Sequence, residues 1–298
     1  MAIPENQLDT WAAQGSVSQS QGTYEILRKA LDKSTAPYAS RDYVSYLQGS
    51  YGNDTNIYAD SDVDVVMQLN STFYKDISNM SSDDQETYQT NFSNASYSLA
   101  DFRREVIAHI EYEFGSNVKP GGKAIFVQGD GRRRDADILV CAQYRKYRYF
   151  KGAYNQSYVE GVTFWSSDGT QIINYPKVHS ENCTAKHQST NSWFKPTVRT
   201  FKNMRNRMID DGYIKEGLAP SYFLEGMLYN VPSTQFGVSY ADTVANSINW
   251  LRSTDRAKLL CANEQYYLLN EFSPVTWRAA NCTSFLDAAV KFWNDWQR

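Results

Sequence analysis

Asp62 and Asp64 stand one residue apart at the head of the apolar run Val63-Asp64-Val65-Val66. Side chains on a strand alternate between faces, so the two carboxylates project together, and Val63, Val65 and Val66 are expected to pack elsewhere. Neighbouring like charges repel, and a cation between them relieves the cost. An all-oxygen donor set suits Mg2+ or Mn2+, hard ions usually met with nucleotide phosphates. Upstream, Gly49-Ser50 comes after the β-rich stretch from Tyr43 to Leu47. Backbone N–H groups at a helix start, with a serine hydroxyl among them, offer an anion site for a triphosphate. An Asp-x-Asp pair alone is usually a solvated strand end, and Gly-Ser alone usually marks a turn. The two together, in this order, point to metal-dependent nucleotidyl transfer.

The stretch resembles the signature of the polymerase-β-type nucleotidyltransferases: Gly-Ser or Gly-Gly, a spacer, then Asp-x-Asp or Asp-x-Glu. Thr55-Asn56-Ile57 in the spacer, and Ser61 just before the first aspartate, are similar to one branch. That branch holds the oligoadenylate synthetases, cyclic GMP–AMP synthase and the bacterial cyclic-oligonucleotide synthases (CD-NTases) of anti-phage systems. The resemblance implies a third carboxylate on a neighbouring strand. Asp137, at the start of the apolar run Ile138-Leu139-Val140-Cys141-Ala142, fits that pattern. Asp135 shares its face by the same alternation and is the competing assignment, although it also ends the polar run Arg132-Arg133-Arg134.

A second block resembles the same branch. Val198, Phe201, Met204 and Met208 recur at helical spacing, and Ala219-Pro220-Ser221 opens a second helical stretch. In the branch, a lysine on the first of these helices and a polar residue opening the second hold the triphosphate; the matching positions are Lys202 and Ser221. The residues by themselves allow a solvated helix face for Lys202 and a plain N-cap for Ser221. The resemblance further implies two Mg2+ (or Mn2+) ions on Asp62, Asp64 and Asp137. Gly49 and Ser50 would then cradle the phosphates of a nucleoside triphosphate (ATP, GTP, UTP or CTP). The implied product is a cyclic di- or trinucleotide second messenger, read by a downstream effector.

These residues need a sheet to carry the carboxylates and helices to carry the rest. An amphipathic helix is expected over about 16–31, then strands near 43–48 and 63–69. A polar excursion of loop and short helix is expected over 70–96, then a helix over 98–114 with Leu99, Phe102, Val106, Ile107 and Ile110 on one side. Strands recur near 123–128, 136–142, 159–165 and 171–175, and from Trp193 the pattern is largely helical. The fold class expected is α+β: a polymerase-β-like core of mixed sheet and helices joined to a C-terminal helical lobe. By resemblance, residues 1–180 form the catalytic core with an N-terminal spine helix, and 181–298 a helical lobe closing over the nucleotide pocket.

Composition narrows the alternatives. With 298 residues and 42% apolar side chains the chain can bury a sizeable core. No leader-like or membrane-length apolar run is present, so a cytoplasmic protein with no membrane partner is expected. Cys141, Cys183, Cys261 and Cys282 lack paired spacing and are expected to stay reduced. The formal net charge of −3 does not favour stable nucleic-acid binding, which needs a basic stripe to displace counterions. Local basic clusters do occur, one of them Arg199, Lys202, Arg205 and Arg207, expected to face the triphosphate. His179-x3-Cys183-x3-His187 offers three ligands against the four of a closed zinc site, and is expected to be a polar connector without zinc. Three other readings stay open: transfer to a linear oligonucleotide or to a protein, RNA or small-molecule acceptor; a degenerate nucleotide-binding module; and a toxin–antitoxin component that nucleotidylates its partner.

Overall fold

A computed structural model describes residues 2–58 and 62–296. The chain runs α1 (Glu5–Ala12), α2 (Ser18–Leu31), β1 (Tyr43–Gln48), α3 (Gly49–Gly52), β2 (Val63–Asp76), α4 (Ser82–Asn91) and α5 (Leu99–Phe114). It continues with β3 (Val118–Pro120), β4 (Ile125–Val127), β5 (Ala136–Phe150), β6 (Gln156–Trp165) and β7 (Gln171–Asn174). The helices α6 (Pro176–Ser189), α7 (Phe194–Asp210), α8 (Ser221–Tyr229), α9 (Tyr240–Ser253) and α10 (Ala279–Asp295) complete it. Contacts divide the chain into two compact units: Val17–Gln48 with Ser61–Lys177, and Met1–Ser16 with Gly49–Asp60 and Val178–Arg298.

The first unit is built on a seven-stranded mixed sheet in the order β1-β2-β5-β4-β3, with β6 pairing β5 and β7 pairing β6. β2 and β5 run parallel; the other pairs are antiparallel. Alternation puts Val63, Val65, Met67 and Leu69 on one face, where Ile138, Val140 and Ala142 of β5 join them. Leu27 and Leu31 of α2 and Phe102, Val106 and Ile110 of α5 cover that face. Each such side chain, fully buried, contributes about 1.5–3 kcal/mol. A capping box starts α5: the Ser98 hydroxyl accepts from the Asp101 N–H, and the Asp101 carboxylate accepts from the Ser98 N–H.

Several stretches differ from the sequence expectation: α1 and β3 were not foreseen, and β5 runs past 142 to Phe150. Strand β2 does not stop near residue 69; after an irregularity between Leu69 and Phe73 it resumes pairing with β5 as far as Asp76. Its polar outer residues hid it, but Phe73 packs against an aromatic cluster of Tyr88, Phe92, Tyr147 and Phe150 that gives the extension something to bury against. The region of His179, Cys183 and His187 is a helix, α6, with His179 and Cys183 one turn apart and both buried.

The second unit is helical around Phe194, Val198, Phe201, Met204 and Met208, the apolar stripe of α7. Residues 2–16 and 49–58 belong to it, whereas a core over 1–180 was expected. The reason lies in their hydrogen bonds. Gly15 and Asn56 bond each other through backbone and side chain, and Arg199 on α7 donates to the carbonyls of Ala12 and Asp54.

Candidate active site

In the sheet unit, β2 and β5 are in register such that Asp64 and Asp137 are direct partners across the parallel pair. Asp62 lies just before β2, on the Asp64 face by alternation, and is exposed; Asp64 and Asp137 are half-buried. Partial burial, the Asp62 charge and the Asp135 charge all push the Asp137 carboxyl above its ordinary range. Asp135 is otherwise engaged: its Oδ1 accepts from the Gly129 N–H at 2.6 Å, holding the turn before β5. The three carboxylates Asp62, Asp64 and Asp137 fit a hard divalent cation. Their donors are all oxygen, and the in-register pairing of Asp64 with Asp137 sets two of them side by side. Ser61 lies outside the described residues.

Further along this sheet face Val66, which alternation carries to the carboxylate side and not away with Val63 and Val65, makes an apolar floor with Leu139, Cys141 and Val162. Beyond it comes a polar group that sequence reasoning missed. Gln68 donates to Glu160 at 3.1 Å, Gln143 donates to the other oxygen of Glu160 at 2.9 Å, and Lys177 pairs with Glu160. Burial opposes the Glu160 carboxylate, and these donors outweigh it, holding its pKa down. Nothing in the local sequence signalled this group, because its members come from four separate elements.

In the helical unit, Gly49 adopts a positive φ of 70° and opens the short α3 with Ser50. The Asn53 N–H returns to the Gly49 carbonyl at 3.1 Å and the Thr55 N–H to the Ser50 carbonyl at 2.9 Å. The basic side of α7 is turned toward residues 54–55. Lys195 pairs with the Asp54 carboxylate at 3.0 Å, Arg199 reaches the Asp54 carbonyl at 2.7 Å, and Lys202 reaches the Thr55 carbonyl at 3.0 Å. Lys202 is 0% exposed, and one of its donors goes to backbone. Arg205 donates to the Ala219 carbonyl and to the Ser221 hydroxyl at 3.0 and 3.1 Å, and Arg207 pairs with Asp211. The basic cluster expected to face one triphosphate is thus spread over several different partners. Ser221 is the first residue of α8; the capping position is Pro220, so the hydroxyl is not an N-cap.

Glu225, which sequence reasoning passed over, is 3% exposed on α8. It accepts from the Thr55 hydroxyl, from Asn53 at 3.1 Å and from His179 Nε2 at 2.7 Å. Burial opposes its charge, and His179, Thr55 and Lys202 outweigh that and hold its pKa below the usual range. For His179, burial opposes the charge, and the adjacent Cys183 and Glu225 push it up to about 10. The signal was available: one acid inside Tyr222-Phe223-Leu224-Glu225-Gly226-Met227-Leu228 is a carboxylate that must be buried with a partner. The ligand atoms of His179, Cys183 and Glu225 lie within 4.8 Å of one another, and at 2.7 Å the His179–Glu225 spacing is that of a direct hydrogen bond. His187 is not in this group; its Nδ1 accepts from the Lys195 N–H.

Residues 181–294 match the family described as cGAS/DncV-like nucleotidyltransferase C-terminal helical domain. The cyclic UMP-AMP synthase of Rhodothermus marinus is 41% identical over 298 residues, covering 99% of both chains. The cyclic nucleotide synthase CdnE01 of Staphylococcus haemolyticus is 35% identical over 99% of this chain and all of its own. Among solved structures, the R. marinus CdnE c-UMP-AMP synthase with Apcpp and Upnpp superposes with a TM-score of 0.89 at 40% identity, over 99% of this chain and 98% of that one. The Elizabethkingia meningoseptica CdnE cyclic dinucleotide synthase gives 0.77 at 28% identity, over 98% of each. The chain belongs to the CD-NTase family. It is an enzyme, a nucleotidyltransferase of the cyclic-oligonucleotide-synthase type. No helix among the described residues is long and apolar enough to cross a membrane.

Proposed function

We propose that the protein joins two nucleoside triphosphates into a cyclic dinucleotide, with ATP and UTP the first pair to test, and that the product is a second messenger for a separate effector in anti-phage defence. The observation that carries the reading is the in-register Asp64–Asp137 pair beside Asp62, in a chain similar over its whole length to a cyclic UMP-AMP synthase. Asp62, Asp64 and Asp137 would hold two Mg2+ or Mn2+ ions, which when bound neutralise triphosphate charge and acidify the acceptor hydroxyl. Asp137 orients the 2′- or 3′-hydroxyl of the acceptor nucleotide and takes its proton. The hydroxyl oxygen bonds to the donor's α-phosphorus, the bridge to the β-phosphate breaks, and pyrophosphate leaves. The linear intermediate keeps one triphosphate and one free hydroxyl, so a second attack of the same kind closes the ring and releases a second pyrophosphate. Gly49, Ser50 and Ser221 are assigned to the triphosphate, whereas Lys202, with no exposed surface and its ammonium on the Thr55 carbonyl, steadies the segment after the turn.

The test is mass spectrometry of products from the pure protein with all four nucleoside triphosphates and Mg2+ or Mn2+, after phosphatase treatment. A resistant cyclic dinucleotide, absent with Asp62→Asn/Asp64→Asn, is the expected result. Linear products alone, in both metals, would move the assignment to oligomer synthesis or to a macromolecular acceptor.

A further inference from the structure

Buried charges are costly unless paired, and the helical unit buries several together. Lys195, Arg199 and Lys202 are each at least nine-tenths buried, and all three spend donors on residues 54–55 or, for Arg199, also on Ala12. Glu225 faces the same segment from α8, holding the Thr55 hydroxyl and the Asn53 amide, with His179 behind it. Segment 53–55 is therefore fixed on its backbone by cations and on its side chains by one carboxylate. It is also the segment whose N–H groups return to the carbonyls of Gly49 and Ser50.

We propose that Glu225, acting through Thr55 and Asn53, is a positioning residue for nucleotide binding: it holds the exit of the Gly49-Ser50 turn in the conformation that receives the triphosphate. This rests on the assignment of that turn to the triphosphate. The carboxylate is needed as such. An ionised carboxylate only accepts hydrogen bonds, and here it meets three donors. A glutamine could still accept from Asn53 and His179 and donate to the Thr55 hydroxyl, but it carries no charge to balance the buried His179 and Lys202. A positively charged or apolar side chain there would leave the Thr55 and Asn53 donors without an acceptor.

The experiment compares steady-state kinetics of cyclic product formation and calorimetric affinity for a non-hydrolysable ATP analogue. It uses the wild type, Glu225→Gln, Thr55→Val, Thr55→Ser and Ser50→Ala, all in Mg2+. Thr55→Val keeps the shape and removes the hydroxyl, whereas Thr55→Ser keeps the hydroxyl. The expected result is a KM and an analogue Kd raised about tenfold in Glu225→Gln and Thr55→Val, with a smaller change in kcat, and near wild-type values in Thr55→Ser; a tenfold change matches the loss of a hydrogen bond to a charged acceptor. Should Glu225→Gln fail to fold, the valine–serine pair at Thr55 still decides. Unchanged KM in Thr55→Val, while Ser50→Ala raises it, would overturn the positioning role and leave the turn's assignment standing. Unchanged KM in both Thr55→Val and Ser50→Ala would overturn both. Equal loss of kcat in the valine and serine variants, with KM unmoved, would reduce the contact to plain scaffolding and also overturn the proposal.

Discussion

Asp64 and Asp137 are partners across two parallel strands, so their approach is set by backbone register. A one-residue slip would send either carboxylate to the opposite face, into the packed layer of Val65 and Ile138. Asp64→Asn and Asp137→Asn should each lower the rate of product formation by about a thousandfold or more, consistent with the loss of a group that acts only at the reacting centre. Thermal unfolding without metal should be unchanged or slightly raised in both, because each substitution removes one of several mutually repelling charges. A lowered unfolding temperature together with lost activity would instead mark these aspartates as structural.

Lys202 carries a buried charge compensated by Glu225, on an ammonium that also holds the Thr55 carbonyl. Lys202→Met should destabilise the protein by about 3 kcal/mol, the cost of removing one partner from a buried charge group. Urea unfolding of the variant at neutral pH measures it. A loss below about 0.5 kcal/mol would mean that the buried charge contributes little to the fold, in line with the small effects seen away from buried networks.

His179 gives stability a pH dependence whose sign is set by its shift. Its folded-state pKa of about 10 lies above the ordinary 6.5. The stabilisation from the charged imidazole is therefore complete below about pH 6.5 and is lost progressively as pH rises toward 10. Glu225 is held down and stays ionised throughout this range. Unfolding free energy should fall between these limits with a slope approaching, for one proton, about 1.4 kcal/mol per pH unit. His179→Gln should be less stable at neutral pH and should flatten that slope. An equally steep decline in the variant would assign the effect to other groups.

Ser98 opens the helix that backs the carboxylate-bearing sheet, through a reciprocal capping box with Asp101. Ser98→Ala should cost about 1 kcal/mol of stability. The activity of the folded fraction should stay the same, since the helix packs on the face opposite the aspartates. Differential scanning calorimetry beside a product assay separates the two effects.

Much of this was legible because it depends on periodicity. Alternation along Val63–Leu69 gave the carboxylates a common face, and the spacing of Leu99, Phe102, Val106 and Ile110 gave α5. The spacing of Val198, Phe201, Met204 and Met208 likewise gave α7. The stretch at 70–76 was missed because Asn70, Ser71, Thr72 and Lys75 look like loop, whereas pairing with the far half of β5 fixes the strand through Asp76. α6 was missed for a related reason: its polar sequence has no apolar stripe, and its two buried groups, His179 and Cys183, are ones a single sequence reads as ligands or surface. Burial was the hardest property to foresee. Lys202 and Glu225 belong to residue types that are normally solvated, and only assembled partners reveal where they lie.

The length of β5 has a consequence for how the enzyme comes into being. Asp62 and Asp64 emerge from synthesis well before Asp137, and the strand that brings the third acid is also the central rung to which β2, β4 and β6 attach. Parallel pairing between such distant segments closes late, because its loop entropy must be overcome before its contacts form. A nascent chain ending ahead of Ala136 therefore has two acids and β1 beside them, but not the strand that carries the third. The proposed acid triad should assemble in one step with the sheet, ahead of the helices made after it.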